Sequence, residues 1–162
     1  MITIRPAVAA DAVAVHRWRN DPLAREASVS TAEVPWDQHE AWFARMIESD
    51  DHRLYIADET APDGAVTAVG TVRFDIVSDG TSADVSINLN PECRGRGIGL
   101  PVLRAAMEAF DASGDEVMPL HAVIRPSNGA SIRLFEAVGF DPAGDDGVLL
   151  HFWREVAGPH AR

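Results

Sequence analysis

The chain has 162 residues, 25 acidic and 14 basic, and a net charge of −11 at neutral pH. That length bounds one domain with a sizeable core, burying roughly 68–70% of its extended surface, and the acidic balance excludes an ordinary nucleic-acid binder, which needs a basic face. A single cysteine, Cys93, rules out an internal disulfide and agrees with a reducing, cytoplasmic setting; no apolar run is long enough for a membrane span.

In chain order, Met1–Arg5 reads as a first strand rather than a secretory signal. Asp11 opens a helix that ends near Asn20, where Asp21-Pro22 marks a break. A second helix spans Trp36 to Ser49, with Trp36, Gln38, His39, Phe43, Met46 and Ile47 recurring near helical spacing. Leu54–Asp58 and Val66–Ile76 read as a hairpin around Asp63-Gly64, and Asp79-Gly80 turns into an alternating strand, Ala83–Leu89. A helix follows from Gly97 to about Ala112, closed by Ser113-Gly114. Next come a strand over Met118–Arg125, a helix over Asn128–Val138 and a strand over Val148–Val156. The expected order is strand, two helices, three strands, helix, strand, helix, two strands, a three-layer α/β arrangement with a mixed sheet. One domain is expected over residues 1–157, with a fraying tail over 158–162 that holds Gly158-Pro159.

Residues 83–104 carry the most chemistry. Asp84, Ser86, Asn88 and Asn90 alternate with Val85, Ile87 and Leu89. A strand inside a helix-covered sheet should be apolar on both faces, so the polar face reads as the wall of a wet cleft, with an uncovered sheet end as the plain alternative. The strand runs into Arg94-Gly95-Arg96-Gly97-Ile98-Gly99 ahead of a helix. Glycines at alternate positions permit φ > 0 and let a ligand approach the main chain. Successive amides and the positive end of the helix dipole then form a nest for a phosphate, and Arg94 and Arg96 add fork-shaped donors.

Three loop chemistries compete for this nest. A Walker A loop needs a Lys-Ser/Thr pair, but the chain has no lysine and Gly99 is followed by Leu100-Pro101. A dinucleotide loop reads G-x-G-x-x-G, whereas the spacing here is G-x-G-x-G and lies more than halfway along the chain. The third is the pyrophosphate loop of acyl-CoA-dependent N-acetyltransferases, Arg/Gln-x-x-Gly-x-Gly/Ala after a strand, which Arg94–Gly99 fits residue for residue.

A second block, Asn128-Gly129-Ala130-Ser131-Ile132-Arg133-Leu134-Phe135-Glu136-Ala137-Val138-Gly139-Phe140, is similar to the N-x-x-A/S-x-x-L-Y/F-x-x-x-G-F segment of the same family. With both blocks in order, the chain resembles the GNAT superfamily over nearly its whole length. Taken singly, each block has a plain structural reading, such as Gly139 closing a helix. The resemblance implies a mixed, mostly antiparallel sheet with helices on both faces and a splay between the fourth and fifth strands. It implies acetyl-CoA as the cofactor, with the main chain of Ile87 and Leu89 bonding the pantetheine arm in the splay. Arg94, Gly95, Arg96, Gly97, Ile98 and Gly99 would contact the diphosphate, with Asn128, Ser131 and Phe135 as further cofactor contacts. Many family members carry a Tyr at the position of Phe135, to protonate the departing thiolate. Phe135 cannot donate and reads as core packing; a thiol of pKa about 8.5 leaves acceptably without that help.

Asp84, Ser86 and His121 are the candidate proton acceptors, with Ser86 working through water preferred. His121 has an imidazole suited to proton traffic but reads first as a buried, hydrogen-bonded structural histidine. Cys93 has no base partner nearby and is not expected to act. The acceptor should meet Trp18–Pro22, Arg25–Ser28 and Pro35–Phe43, a pattern similar to the subgroup acting on amino-sugar nucleotides in pseudaminic- and legionaminic-type pathways. Ribosomal-protein N-terminal acetyltransferases share parts of it. On that resemblance Arg19, Asn20 and Arg25 offer donors to a nucleotide diphosphate, and His39 and Trp42 offer contact surfaces. Trp42 also reads as core, and His39 as a helix-surface residue. The expected activity is acetyl transfer from acetyl-CoA to the primary amine of a small molecule, first an amino-sugar nucleotide, by direct attack in a ternary complex. A protein N-terminus as acceptor, or a non-catalytic acyl-CoA-binding module, are the alternatives. No metal, nucleic acid or membrane partner is expected; a homodimer is compatible.

Overall fold

The structure is a computed structural model and describes residues 1–114 and 116–156; the tail expected over 158–162 lies outside the described residues. Its elements are β1 (Ile2–Pro6), α1 (Ala12–Arg19) after a 3-10 turn at Ala9–Asp11, α2 (Pro22–Ala27), α3 (Trp36–Glu48), β2 (His52–Thr60), β3 (Val66–Ile76) and β4 (Ala83–Leu89). A 3-10 turn at Pro91–Cys93 leads to α4 (Gly99–Ser113), followed by β5 (Leu120–Ile124), α5 (Gly129–Ala137), β6 (Asp141–Asp145) and β7 (Leu150–Arg154).

The three layers follow from the two-residue period of a strand. Along β2, Leu54 and Ile56 belong to a cluster with Val15, Trp18 and Phe43 of α1 and α3. The alternate residues Tyr55 and Ala57 join the opposite core, with Val102, Leu103 and Phe110 of α4 and Phe135 of α5. Phe74 of β3 stacks on Phe110 with centroids 4.2 Å apart, locking α4 onto the sheet. Seven strands form one sheet in the order β1-β2-β3-β4-β5-β7-β6. Every neighbour pair is antiparallel except β4 with β5.

That parallel pair is in register only at Ala83↔Leu120 and Asp84↔His121, after which the strands part. The amide of Ala83 still reaches the Pro119 carbonyl on the β5 side, at 3.1 Å, whereas that of Asn90 bonds Val69 on the β3 side, at 2.8 Å. Main-chain groups alternate in direction along a strand, so those of Val85, Ile87 and Leu89 face the gap. The expected mixed sheet, its splay and the helices on both faces are all present.

Two elements depart from the expectation. Asp21-Pro22, read as a break, ends α1 and also starts α2: Asp21 accepts the Ala24 amide at 3.0 Å and Pro22 opens the helix. An Asp cap before a proline at the first helical position is a start signal as much as a stop. β6, the unlocated second closing strand, is an exposed edge strand with a register shift between Pro142 and Gly144. Without a buried face it has no alternation to read. Among the described residues, no helix is long and apolar enough to cross a membrane.

Candidate active site

Gly95 and Gly97 have φ of +72° and +73°, and an added Cβ at either would meet nothing within 4 Å. Only glycine takes this conformation without strain, and among the described residues no acceptor takes the amides of Gly95, Arg96 or Gly97. The third glycine serves a different end. A Cβ on Gly99 would lie 3.3 Å from Leu134 Cδ2, so its absence lets the start of α4 pack against α5.

The loop's arginines are paired within the chain. Arg94 donates to Asp21 Oδ2 at 2.6 Å, and this bond is the first reason the Asp21 carboxyl sits below the usual carboxylate range. Arg96 donates from Nη2 to both oxygens of Glu59 at 2.9 and 2.8 Å. Both had been expected to present free donors to a phosphate. Arg94 still lines the adjoining cavity, but Arg96 does not. Unpaired main-chain amides beside a helix N-terminus, as at α4, are the kind of group that can hold an anion.

A cavity of about 1360 Å³ runs from this loop, through the gap between β4 and β5, to the inner side of α1–α3. It brings together Ser86, Ile87, Leu89, Arg94, Gly95, Gly97, Ile98 and Gly99 with Asn128, Ser131 and Phe135, and also takes in Arg19, His39 and Trp42. Asn128 caps α5 by accepting the Ser131 amide at 3.2 Å. Phe135 is buried edge-to-face on Phe140, centroids 5.0 Å apart, as the packing reading requires.

Asp84, His121, Asn20 and Arg25 are not among the lining residues. His121 has no ring nitrogen left for a substrate proton: Nδ1 meets Asp84 at 2.7 Å and Nε2 meets His151 at 3.0 Å. Ser86 remains, on the cavity wall and in register with Arg73 of β3.

Arg19, Asn20 and Arg25, expected to present donors to a diphosphate, strap down the segment from Ser28 to Val34. Arg19 bonds Ser28 Oγ at 3.3 Å and the Ser30 carbonyl at 3.1 Å, and Arg25 bonds the Thr31 carbonyl at 3.1 Å. The Asn20 amide exchanges two bonds with the Val34 main chain, both at 2.8 Å. Arg125, at the end of β5, reaches the Val29 carbonyl at 2.8 Å. His39 is buried instead of lying on the helix surface; Nε2 bonds the Ala12 carbonyl at 2.8 Å, and burial holds its imidazole below the ordinary range.

Sequence reasoning missed Arg45 and Arg73. Arg73 lies 5.6 Å from the Trp42 ring centroid, with Nε on Asp75 at 2.9 Å. Five arginines line the cavity (Arg19, Arg45, Arg73, Arg94 and Arg133) against one carboxylate, Glu33. In a chain of net charge −11, that is a local reversal of sign. Burial first, then the charges of Arg73 and Arg25, hold the Arg19 guanidinium below the usual arginine range. Carrying the polar face of β4 across to its partner strand would have found Arg73.

A model of an acetyltransferase (GNAT) domain matches residues 1–141. The chain belongs to this family and is an acetyltransferase of the GNAT type. It is 28% identical over 151 residues to an N-acetyltransferase of Streptomyces griseus, covering 90% of this chain and 77% of that one. A solved structure described as a "putative phosphinothricin N-acetyltransferase" superposes with a TM-score of 0.78 at 26% identity, over 97% of this chain and 99% of that one. The spermidine N-acetyltransferase of Vibrio cholerae, solved with CoA and spermine, shares the fold with a TM-score of 0.81 at 16% identity, covering 95% of each chain.

Proposed function

We propose that the protein transfers the acetyl group of acetyl-CoA to the primary amine of a small molecule that itself carries an anionic group. The excess of arginine over carboxylate on the cavity wall carries this reading. A half-buried cation with cationic neighbours, as Arg19 has in Arg73 and Arg25, is relieved by an anion and aggravated by a polyamine. The relative named for phosphinothricin, at 26% identity, supports an anionic acceptor. An amino-sugar nucleotide stays within the class through its diphosphate. With Arg19, Asn20 and Arg25 committed to the 28–34 segment, Arg45 and Arg73 would have to bind it. A protein N-terminus offers no such anion.

The residues present suit acetyl-CoA. The Gly95–Gly97 amides and the α4 N-terminus would hold its diphosphate, and the gap-facing groups of Ile87 and Leu89 would bond its pantetheine arm. When bound, it supplies the activated acetyl thioester. The chain's contribution is then mainly orientation, which can amount to ~7–11 kcal/mol, plus one donor on the thioester carbonyl, worth ~2.7–4 kcal/mol. Ser86 would hold a water through which the amine proton passes to solvent as the nitrogen–acetyl bond forms and CoA leaves as its thiolate. Replacing Ser86 with alanine should lower kcat by roughly a hundredfold, the low end for positioned proton transfer, and leave the Kd for acetyl-CoA unchanged. An unaltered kcat would remove Ser86 from the chemistry.

Acceptor choice is tested by following CoA release with matched amines that are anionic, neutral or polycationic, with an amino-sugar nucleotide and an N-terminal peptide included. Arg45 has no ion-pair partner among the described residues, so Arg45→Gln should leave the fold intact. It should lower kcat/KM for the anionic amine roughly 10- to 100-fold, the equivalent of about 1.5–3 kcal/mol for a hydrogen bond to a charged group. Faster turnover of spermidine than of any anionic amine would refute the acceptor class. Tight acetyl-CoA binding with no CoA release from any amine would favour a non-catalytic module.

A further inference from the structure

Three polar contacts in a row cross the sheet face beside the cavity. Asp84 Oδ1 on β4 lies 2.7 Å from His121 Nδ1 on β5, and His121 Nε2 lies 3.0 Å from His151 Nδ1 on β7. His151 Nε2 lies 3.0 Å from Asp146 Oδ2, in the turn before β7. Asp146 is firmly ionised: the bond from His151, then the amides of Leu149 and Val148, hold its carboxyl down to about 2. Asp84, at the other end, is exposed to water. Each contact is a hydrogen bond only if one proton lies within it, so the row needs three. Two neutral imidazoles bring two. If both protons go to the carboxylates, the bare His121 Nε2 and His151 Nδ1 face each other lone pair to lone pair. If one moves to the middle, a carboxylate faces a bare nitrogen.

We propose that the row holds one further proton, shared between His121 Nε2 and His151 Nδ1, and that this proton keeps β4 and β5 at the spacing acetyl-CoA requires. The row lies where that spacing is set. Asp84↔His121 is the last register pair before the strands part, and His151, two residues before Trp153, the register partner of His121, ties that point to β7 through its side chain. The four side chains do not line the cavity and are positioning residues. Asp75 of β3 is in register with Asp84, bonded to His52 and Arg73. Trp153 stacks on His121 with centroids 4.5 Å apart, and Asp141 of β6 is in register with Trp153. Arg154, the neighbouring cation on β7, pairs with Asp111 of α4 instead.

The middle bond is present while the shared proton is bound and is lost as pH rises and the proton leaves. A second extra proton, at low pH, sets N–H against N–H and breaks it as well. The role assigned to the spacing rests on the reading of the splay as the acetyl-CoA groove, and the test separates the two. KM for acetyl-CoA, measured on the full chain, should rise roughly tenfold from neutral to alkaline pH, the size of one charge-assisted hydrogen bond, with kcat little changed. His151→Asn sets an amide N–H against His121 Nε2, so the bond forms with no extra proton. Its KM should match the native value at neutral pH and lack the alkaline rise. His151→Leu should raise KM at every pH. An equal alkaline rise in His151→Asn overturns the proposal, as does nitrogen NMR showing both facing nitrogens bare at neutral pH. A shared proton seen by NMR, with no calorimetric acetyl-CoA binding at neutral pH, overturns the groove reading and the link to spacing with it.

Discussion

Replacing Gly97 with aspartate is expected to abolish detectable acetyl-CoA binding while leaving the protein folded. The residue has φ of +73° and open space where a side chain would go. A substituted L-residue therefore bears only the left-handed backbone cost, about 1–2 kcal/mol, which aspartate and asparagine tolerate better than most. Binding suffers far more, because the new carboxylate would stand where the diphosphate is to be held. Two like charges 4 Å apart near a protein surface repel by about 4 kcal/mol, roughly a thousandfold in affinity. Gly97→Asn shares the backbone cost without the charge, and calorimetry should find it within about tenfold of the native protein. Both variants should melt within a few degrees of each other. Native affinity in Gly97→Asp would mean that the loop does not hold the diphosphate.

The largest loss of stability is expected from Phe135→Ala. Phe135 is 3% exposed and packs edge-to-face on Phe140 within the core beneath α4 and α5. Removing a buried aromatic ring costs about 3–5 kcal/mol, and a chain of this length loses about 2–4 °C of Tm per kcal/mol. Thermal denaturation should therefore show a fall of roughly 10 °C. Phe135→Leu restores most of the volume and should recover much of the stability. If the ring acts only by packing, that variant should also turn over at near-native kcat below its melting temperature. A native Tm in Phe135→Ala would contradict the packing role, and a collapse of kcat in a well-folded Phe135→Leu would give the ring a part in turnover.

Reading outward from β4 shows how far the residues alone carry. The alternation from Asp84 to Asn90, the glycine loop and the Asn128 cap placed a strand, a turn and two helix starts, because each depends on neighbours within a few positions. The division of Leu54 and Ile56 from Tyr55 and Ala57 into two cores also follows from strand period once the strand is found. β6 was counted in the expected order but not located, since an exposed edge carrying Pro142 and Gly144 has neither alternation nor propensity. α2 was hidden because one dipeptide both closes the helix before it and opens the next.

The roles of the charged side chains divide in the same way. By itself, the sequence determined the three-layer α/β order and the strand–glycine loop–helix unit, both set by local periodicity, caps and positive-φ positions. Tertiary structure alone decided that Arg94 meets Asp21, 73 positions away, and that Arg96 meets Glu59, 37 positions away. It also turned Arg19, Asn20 and Arg25 onto the 28–34 segment, left Arg45 and Arg73 on the cavity wall, and occupied both nitrogens of His121. Charge has no period along a chain: an arginine's partner is whichever carboxylate or carbonyl the packing of distant elements brings within about 3 Å of it.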